Sequence, residues 1–332
     1  MEENLVRSPA DPASGRASPA EDSGPAGHRV ARSVPAPLLV LTSVVSVQTG
    51  QAIGKGLFGA AGGPWGVVAI RLTFAALLLL AWWRPRLPRE RTDVVLILAF
   101  GTAIAGMNLG YLAMKYMPLG VAMTIQLMGP LVVSLCAARR MVHLLWGLLA
   151  VTGLVLFTSP GTADAPPAIG LLFAVGSAIS MGSYLLLSKR TGARMSGGQP
   201  LALAVAWAAV LTLPFGVLDS GSRMLEAGVL WVGLAVAVLS AAVPYSLELA
   251  ALRHLPARTV GVLQSLEPVA AGIAGLLLLG EHLGGHQWLA IVCISAASAG
   301  TVATHETPPA THSGTRSRKT SGVTSDRGKV RR

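Results

Sequence analysis

Two glutamates stand inside long apolar runs of the sequence, where a charged side chain is costly unless it faces protein or water. Glu267 lies about ten residues into its run, and the proline that follows it can break the helix and free carbonyl groups. A carboxyl group at this depth can bind and release a proton, or it can be a hydrogen-bonded packing group. Glu248 is the second candidate for proton coupling, and it can instead pair with Arg253 or reach the membrane interface.

Basic and amide side chains in other apolar runs could bind a small zwitterion. Arg71 lies about 9 Å along a helix from Trp65. Its guanidinium can hold a carboxylate through two parallel hydrogen bonds, or it can extend to the interface and bind nothing. Lys55, near the end of its run, is expected to extend outward. The polar set that could hydrogen-bond a ligand, or simply join helices, is Gln48, Gln51, Asn108, Gln126 and Gln264. Arg71, Asn108, Gln126 and Gln264 are our candidate substrate-binding residues.

Several other chemistries are not supported by the sequence. Glu281, His282 and His286 resemble a metal-binding histidine pair, but they fall in a short glycine-containing loop, so neither a metal nor another cofactor is expected. Cys136 and Cys293 match no metal or redox spacing. The sequence shows no intramembrane aspartate pair, no Ser/His constellation and no G-x-x-x-x-G-K-[ST] motif. We therefore expect neither an enzyme nor an ATP-driven pump.

The composition places these residues in a membrane. Of the chain, 52% is hydrophobic and only 12% is charged, with a mean hydropathy of +0.60, whereas soluble domains are roughly a quarter charged. The net charge of +11 comes from tails and short loops rather than from one face of a soluble fold. Lipid headgroups are therefore the expected partners of these cations, and nucleic acid is not.

Ten apolar runs are long enough to cross a hydrocarbon core of about 30 Å. We place them near residues 37–58, 65–83, 94–114, 118–138, 142–159, 168–188, 200–218, 228–252, 257–279 and 287–304. Residues 1–34 and 305–332 are too polar to fold alone, and both are expected to be disordered, the second being basic. The predicted fold is an all-α membrane protein with ten transmembrane helices.

A short pattern within the apolar runs occurs twice at identical spacing. Pro118, Gln126 and Pro130 recur as Pro256, Gln264 and Pro268. This indicates two duplicated halves, residues 35–160 and 167–304, with five spans in each. Because five is odd, the second half enters the membrane from the opposite side, and the halves form an inverted repeat. Function is expected where the halves meet.

The orientation follows from the basic residues, which fall in alternate loops together with both tails. They are Arg84, Arg86, Arg89, Arg91, Arg139, Arg140, Lys189, Arg190, Arg194, Arg253 and Arg258. The excess of Lys and Arg on the cytoplasmic side of membrane proteins then predicts that both termini are cytoplasmic.

Five stretches, 129–140, 239–249, 255–259, 265–268 and 279–282, resemble the EamA-type transporters of the drug/metabolite transporter superfamily. The resemblance runs from about residue 46 to 299 and is strongest to threonine and homoserine exporters of bacterial inner membranes. It implies two EamA repeats, a central cavity and export of small amino acids driven by the proton gradient. Similar exporters tend to carry a glutamate before the Gly-Pro of the fourth span, where this chain has Gln126. The departure leaves Glu267 as the better proton carrier.

Residues and resemblance together predict an inner-membrane exporter of small neutral amino acids, of the threonine/homoserine type, coupled to protons and working by alternating access as a monomer or homodimer. One alternative is an exporter of organic cations, drugs or other metabolites, although few aromatic residues in the spans could cage a quaternary ammonium. A membrane enzyme or a membrane protein without transport activity is the alternative of another class. Counterflow of labelled amino acids in proteoliposomes separates the three.

Cysteine labelling tests the inverted topology. A cysteine replacing Asp164 should react with a membrane-impermeant thiol reagent from outside the cell, because its loop precedes the sixth span on the outer side. A cysteine replacing Arg190 should be protected until the membrane is opened. The reverse accessibility would contradict the inverted repeat.

Overall fold

A computed structural model describes residues 35–136, 141–158, 166–195 and 197–304. Within these ranges the secondary structure consists of α-helices with short 3-10 and π segments, and no strand occurs. The α-helices are α1 (Ala36–Gly56), α2 (Pro64–Trp83), α3 (Arg91–Met107), α4 (Leu109–Ala113), α5 (Leu119–Cys136), α6 (Val142–Thr158), α7 (Ala168–Arg194), α8 (Gln199–Ser220), α9 (Ala227–Ala237), α10 (Val243–Leu252), α11 (Ala257–Gln264), α12 (Glu267–Leu279) and α13 (Gly285–Thr304). Both predicted disordered tails, Arg139, Arg140 and Asp164 lie outside the described residues.

Each of the ten predicted spans coincides with a helix or an interrupted helix. In the described ranges, nine segments are long and apolar enough to cross a membrane, and Val142–Phe157 forms a shorter apolar helix. The predicted all-α membrane fold is therefore confirmed. The inverted orientation of the two halves stays a prediction.

Three of the spans are interrupted. The third divides between α3 and α4 at Asn108, and the eighth contains a π-helical segment, Val238–Ala242, between α9 and α10. The ninth divides between α11 and α12, just before Pro268. A proline in the first turn of a helix is tolerated because its missing N–H would have no intrahelical partner there. The break expected at Pro268 is observed, whereas the other two interruptions were not predicted.

The two halves exchange helices in a corresponding way. From the first half, α1 packs against α10 and α12 of the second half. From the second half, α7 packs against α3, α4 and α5 of the first. The pairs α2 with α8, α5 with α12, and α6 with α13 also join equivalent spans of the two halves. This correspondence is what a two-fold relation between duplicated halves predicts.

Small residues let backbones of different halves approach closely. A Cβ atom on Gly129 of α5 would lie 1.9 Å from the carbonyl oxygen of Ala178 in α7, so only hydrogen fits at this position. A Cβ atom on Gly120 would lie 2.8 Å from the Cα of Gly272, where α5 meets α12. Close contact of this kind drives helix association in lipid, where burial of apolar side chains gives little advantage.

Candidate functional site

Arg71 of α2 is half-buried and points into the bundle. Its Nε donates a hydrogen bond to Oγ of Ser240 at 2.7 Å, and its Nη1 donates to Oδ1 of Asn108 at 2.7 Å. The guanidinium carbon lies 5.3 Å from the centre of the Tyr111 ring, within range of a cation–π contact. These contacts hold the cation inside the protein and not at the interface, which was the other arrangement that the sequence left open.

Both hydrogen-bond acceptors of Arg71 lie at interruptions of helices. Asn108 separates α3 from α4, and its Nδ2 donates to the carbonyl of Ile104 at 2.8 Å. Ser240 lies in the π-helical segment, and its Oγ donates to the carbonyl of Val236 at 2.6 Å. Irregular backbone at membrane depth is tolerated where protein or a cavity satisfies its polar groups. Since Asn108 belongs to the first half and Ser240 to the second, Arg71 joins the two.

A cavity of about 100 Å³ adjoins Arg71. Because a cavity volume of about 10–15 Å³ is enough to hold one water molecule, this cavity admits a ligand of several heavy atoms. The polar side chains that line it are Gln51, Arg71, Asn108, Tyr111, Gln126, Tyr184 and Ser240. Three of the four predicted substrate-binding residues, Arg71, Asn108 and Gln126, therefore come together at one cavity.

Gln126 of α5 supports the break between α3 and α4. Its Nε2 donates to the carbonyl of Met107 at 2.9 Å and also contacts Oγ of Ser177. Ser177 itself donates to the same carbonyl at 2.7 Å. Because the amide nitrogen of Gln126 is engaged, its Oε1 is the group that can accept a hydrogen bond from a ligand in the cavity.

The hydrogen-bond partners of Arg71 are neutral side chains. In the part of the chain that the structure describes, no carboxylate lies within 4.0 Å of its guanidinium, while Lys55 and Arg194 have acidic partners. A guanidinium has five N–H donors, and Ser240 and Asn108 use only two of them. The remaining donors can form the bidentate contact that a carboxylate accepts. The cavity is thus suited to a small anionic or zwitterionic ligand.

A second polar cluster contains the two predicted proton-coupling residues. Oε1 of Glu248 in α10 accepts hydrogen bonds from Ser43 at 3.2 Å and from Gln264 at 3.1 Å. Arg253, one of the alternatives that the sequence left open for Glu248, is not among these partners. Glu267, the first residue of α12, is close enough to Glu248 for their charges to interact. Gln264, predicted to bind substrate, lies with these acids and does not line the Arg71 cavity.

The two clusters lie at different depths along α1. Ser43 contacts Glu248, whereas Gln51 lines the Arg71 cavity. Eight residues of α-helix separate these positions by about 12 Å. Gln48 stands between them, 1% exposed, and neither of its amide atoms has a hydrogen-bond partner among the described residues. Buried amide groups of this kind are usually satisfied by water.

Sequence reasoning missed Ser240 and Tyr111, which line the Arg71 cavity, and Ser177, which contacts Gln126. In the sequence each of them is marked only by a hydroxyl group within an apolar run. This is a weak signal, because serine hydroxyl groups in helices often hydrogen-bond to a carbonyl of their own helix. Lys55 was expected to extend outward, and this expectation is wrong. Its Nζ instead pairs with Glu281, which lies far away in the sequence.

Comparisons with known proteins agree with this architecture. Residues 168–303 match the EamA-like transporter family. The chain is 38% identical over 275 residues to a threonine/homoserine exporter RhtA of Salmonella typhimurium (strain LT2), covering 82% of this chain and 92% of the relative. It is 39% identical over 271 residues to a threonine/homoserine exporter RhtA of Escherichia coli (strain K12), covering 80% and 91%. A solved crystal structure, 19% identical, superposes with a TM-score of 0.53 over 80% of this chain and 96% of that chain, which shows a shared fold.

Proposed function

Because the chain belongs to the EamA-like transporter family, we propose that it exports small neutral amino acids, threonine and homoserine among them, across the inner membrane of a bacterium. The observation that carries this proposal is the guanidinium of Arg71, which faces a small cavity without a carboxylate partner among the described residues. An amino acid supplies that carboxylate. The names of the two exporter relatives support the same substrate class.

Within the cavity, the groups on the substrate have separate partners. The carboxylate accepts hydrogen bonds from the N–H groups of Arg71 that do not already donate to Ser240 and Asn108. The ammonium donates to Oε1 of Gln126 and to the side chain of Gln51, which lines the same cavity. Asn108 acts through Arg71, since both ends of its own amide are already engaged. A cation at the centre of the site disfavours the alternative of an exporter for organic cations.

Tyr111 is positioned to recognise a substrate hydroxyl. Its ring lines the cavity beside Arg71, and its hydroxyl is buried with no hydrogen-bond partner among the described residues. An unpaired buried hydroxyl group costs roughly 1–3 kcal/mol, and a ligand that supplies the missing partner recovers part of that free energy. Threonine and homoserine carry a hydroxyl group, whereas aliphatic amino acids of similar shape do not.

Coupling to the proton gradient is assigned to Glu248 and Glu267. The charges of these two carboxylates would repel each other if both were ionised, and one bound proton removes this repulsion. Ser43 and Gln264 both donate to Glu248, which leaves Glu267 as the freer proton carrier. Gln48 lies between this pair and the cavity, where water bound to its amide would continue the polar route.

The two repeats, 35–160 and 167–304, would alternate between arrangements that open the cavity to either side, with both termini in the cytoplasm. The interlocked packing of α1 and α7 across the halves supports this division. On this orientation, Glu248 and Glu267 lie on the cytoplasmic side of the Arg71 cavity.

Arg71→Lys tests the substrate site. The variant keeps a positive charge but loses the planar fork that reaches a carboxylate, Ser240 and Asn108 together, so amino-acid counterflow should fall far more than protein abundance. Arg223→Lys is the matched control, because Arg223 is exposed, and it should exchange as the parent does. Normal counterflow by Arg71→Lys would show that Arg71 only packs the helices.

Tyr111→Phe tests the recognition of the hydroxyl group. The parent should exchange threonine faster than valine, its near-isostere, and the variant should lose most of this preference, by about 5- to 100-fold in the ratio of rates. Folding should be preserved because the deleted hydroxyl has no partner in the described part of the protein. Tyr116→Phe, at an exposed tyrosine, should leave the preference intact. If Tyr111→Phe discriminates as the parent does, another group reads the hydroxyl.

Glu267→Gln tests proton coupling. Glutamine keeps the shape and the hydrogen bonding of the side chain but removes the exchangeable proton, so the variant should insert normally and lose uphill export in response to an imposed pH gradient. Counterflow without a gradient should persist. Glu226→Gln, at an exposed acid, is the control and should respond as the parent does. A full gradient response by Glu267→Gln would assign the proton to another carrier, with Glu248 next.

A further inference from the structure

Lys55 and Glu281 form an ion pair that is largely enclosed by the protein. Their side chains are 17% and 15% exposed, whereas Arg194, which pairs with Asp93 and Glu90, is 48% exposed. Lys55 also donates to the carbonyl of Met117 at 2.8 Å. Removing one member of a desolvated pair leaves an uncompensated charge, so such pairs are costly to break one-sidedly.

The carboxylate of Glu281 is held on both oxygens. Oε1 accepts a hydrogen bond from Nζ of Lys55. Oε2 accepts a hydrogen bond from the backbone N–H of Leu119, the first residue of α5, at 2.8 Å. The N–H of Glu281 donates to the carbonyl of Gly275 at 3.0 Å, which folds the loop back onto α12. A Cβ atom on Gly275 would lie 2.4 Å from Oε2, so the fit is close. The carboxylate therefore joins α12 to α1 and α5.

This contact connects the two halves at one end of the bundle. Lys55, Met117 and Leu119 belong to the first half, and Glu281 belongs to the second. The exposed pair of Arg194 with Asp93 also joins the halves, but it lies at the start of α3, whereas Met117 follows the end of α4. The third span separates these positions by roughly 30 Å. The two ion-pair sites thus stand at opposite ends of the molecule.

The Lys55 pair also lies directly beyond the cavity. Gln51 lines the cavity, and Lys55 is one helical turn further along α1, about 6 Å towards its end. Tyr111 lines the same cavity a few residues before Met117. The place where Lys55, Met117 and Glu281 meet is therefore next to the cavity, towards the end of α1.

The interface behind the pair carries a sign of a second arrangement. Gln48 lies two helical turns before Lys55 on the same face of α1, which packs against α12. It is buried, and its amide atoms lack partners among the described residues. Separation of α1 from α12 would give this amide further contact with water, which offsets part of the loss of the ion pair.

We propose that Lys55 and Glu281 form a gate that closes the cavity at this end while paired and opens it when α12 and its loop move away from α1 and α5. The role of this gate rests on the proposed transport function, but the movement itself can be measured without a transport assay. Arg194 and Asp93 form the weaker, water-screened contact at the other end.

Cross-linking tests whether the gate must open. In a Cys136→Ser and Cys293→Ser background, Lys55→Cys with Glu281→Cys places one thiol on each side of the contact, and a bifunctional methanethiosulfonate reagent can bridge the gap left by the two long side chains. Cross-linking by this reagent should abolish amino-acid counterflow, and reduction should restore it. The two single-cysteine variants are the controls, and each should exchange at the same rate before and after the same treatment. If fully cross-linked protein exchanges amino acids as fast as the same protein after chemical reduction, the proposal is overturned.

A distance measurement tests the movement independently of transport. Gly59 and Gly285 are exposed with open space around them, so cysteines at these positions can carry nitroxide labels for pulsed electron paramagnetic resonance. Glu281→Gln should shift the distance between the labels to longer values, and Lys55→Met should do the same. The exchanged pair, Lys55→Glu with Glu281→Lys, should recover only part of the parent distribution, because it restores the ion pair without the contacts to Met117 and Leu119.

The matched control is Asp219→Asn, since Asp219 accepts the backbone N–H of Trp65 at 3.0 Å without a cation in the contact. This variant should keep the parent distance. Unchanged distances in both Glu281→Gln and Lys55→Met would overturn the gate, and Lys55→Met decides alone if Glu281→Gln does not fold. A shifted distance in a protein whose parent shows no counterflow would uphold the gate and refute the proposed substrate.

Discussion

A guanidinium held inside an apolar helix bundle, with no carboxylate against it among the described residues, is the constraint on which the centre of this protein depends. Arg71 is kept there by Ser240 and Asn108, and each of these side chains also satisfies a carbonyl of its own interrupted helix. The interruption at Asn108 in turn leaves the carbonyl of Met107 for Gln126 and Ser177. Because each group has more than one role, loss of one contact would leave several buried polar atoms unpaired.

The two polar clusters are too far apart for one bound substrate to contact both in a single rigid arrangement of the helices. About 12 Å of α1 lies between Ser43, beside Glu248, and Gln51, beside Arg71. The charged groups of one amino acid lie only a few ångströms apart, so a substrate cannot contact both clusters at once. Both clusters contact α1, which also carries Lys55 near its end. The helix thereby contacts the acidic pair, the cavity and the enclosed ion pair.

The sequence predicted the spans and part of the site for one physical reason. Apolar runs of membrane length are read directly from hydropathy, and a polar residue within such a run, such as Arg71 or Asn108, must face protein. The sequence could not show that Gln264 lies with Glu248, apart from the other substrate-binding candidates, because helix rotation and the break between α11 and α12 depend on tertiary packing. Lys55 and Glu281 are distant in the sequence, so neither local pattern indicates their pairing.

The close contact at Gly129 has a consequence for the electrical character of the interior. Gly129 precedes Pro130 as Glu267 precedes Pro268, so these are equivalent positions of the two halves. Since the backbone of α7 leaves no space for a Cβ atom at Gly129, the first half cannot carry a carboxylate there. The two halves are therefore chemically unequal at this position: the second half carries the carboxyl group of Glu267, and the first half carries only hydrogen.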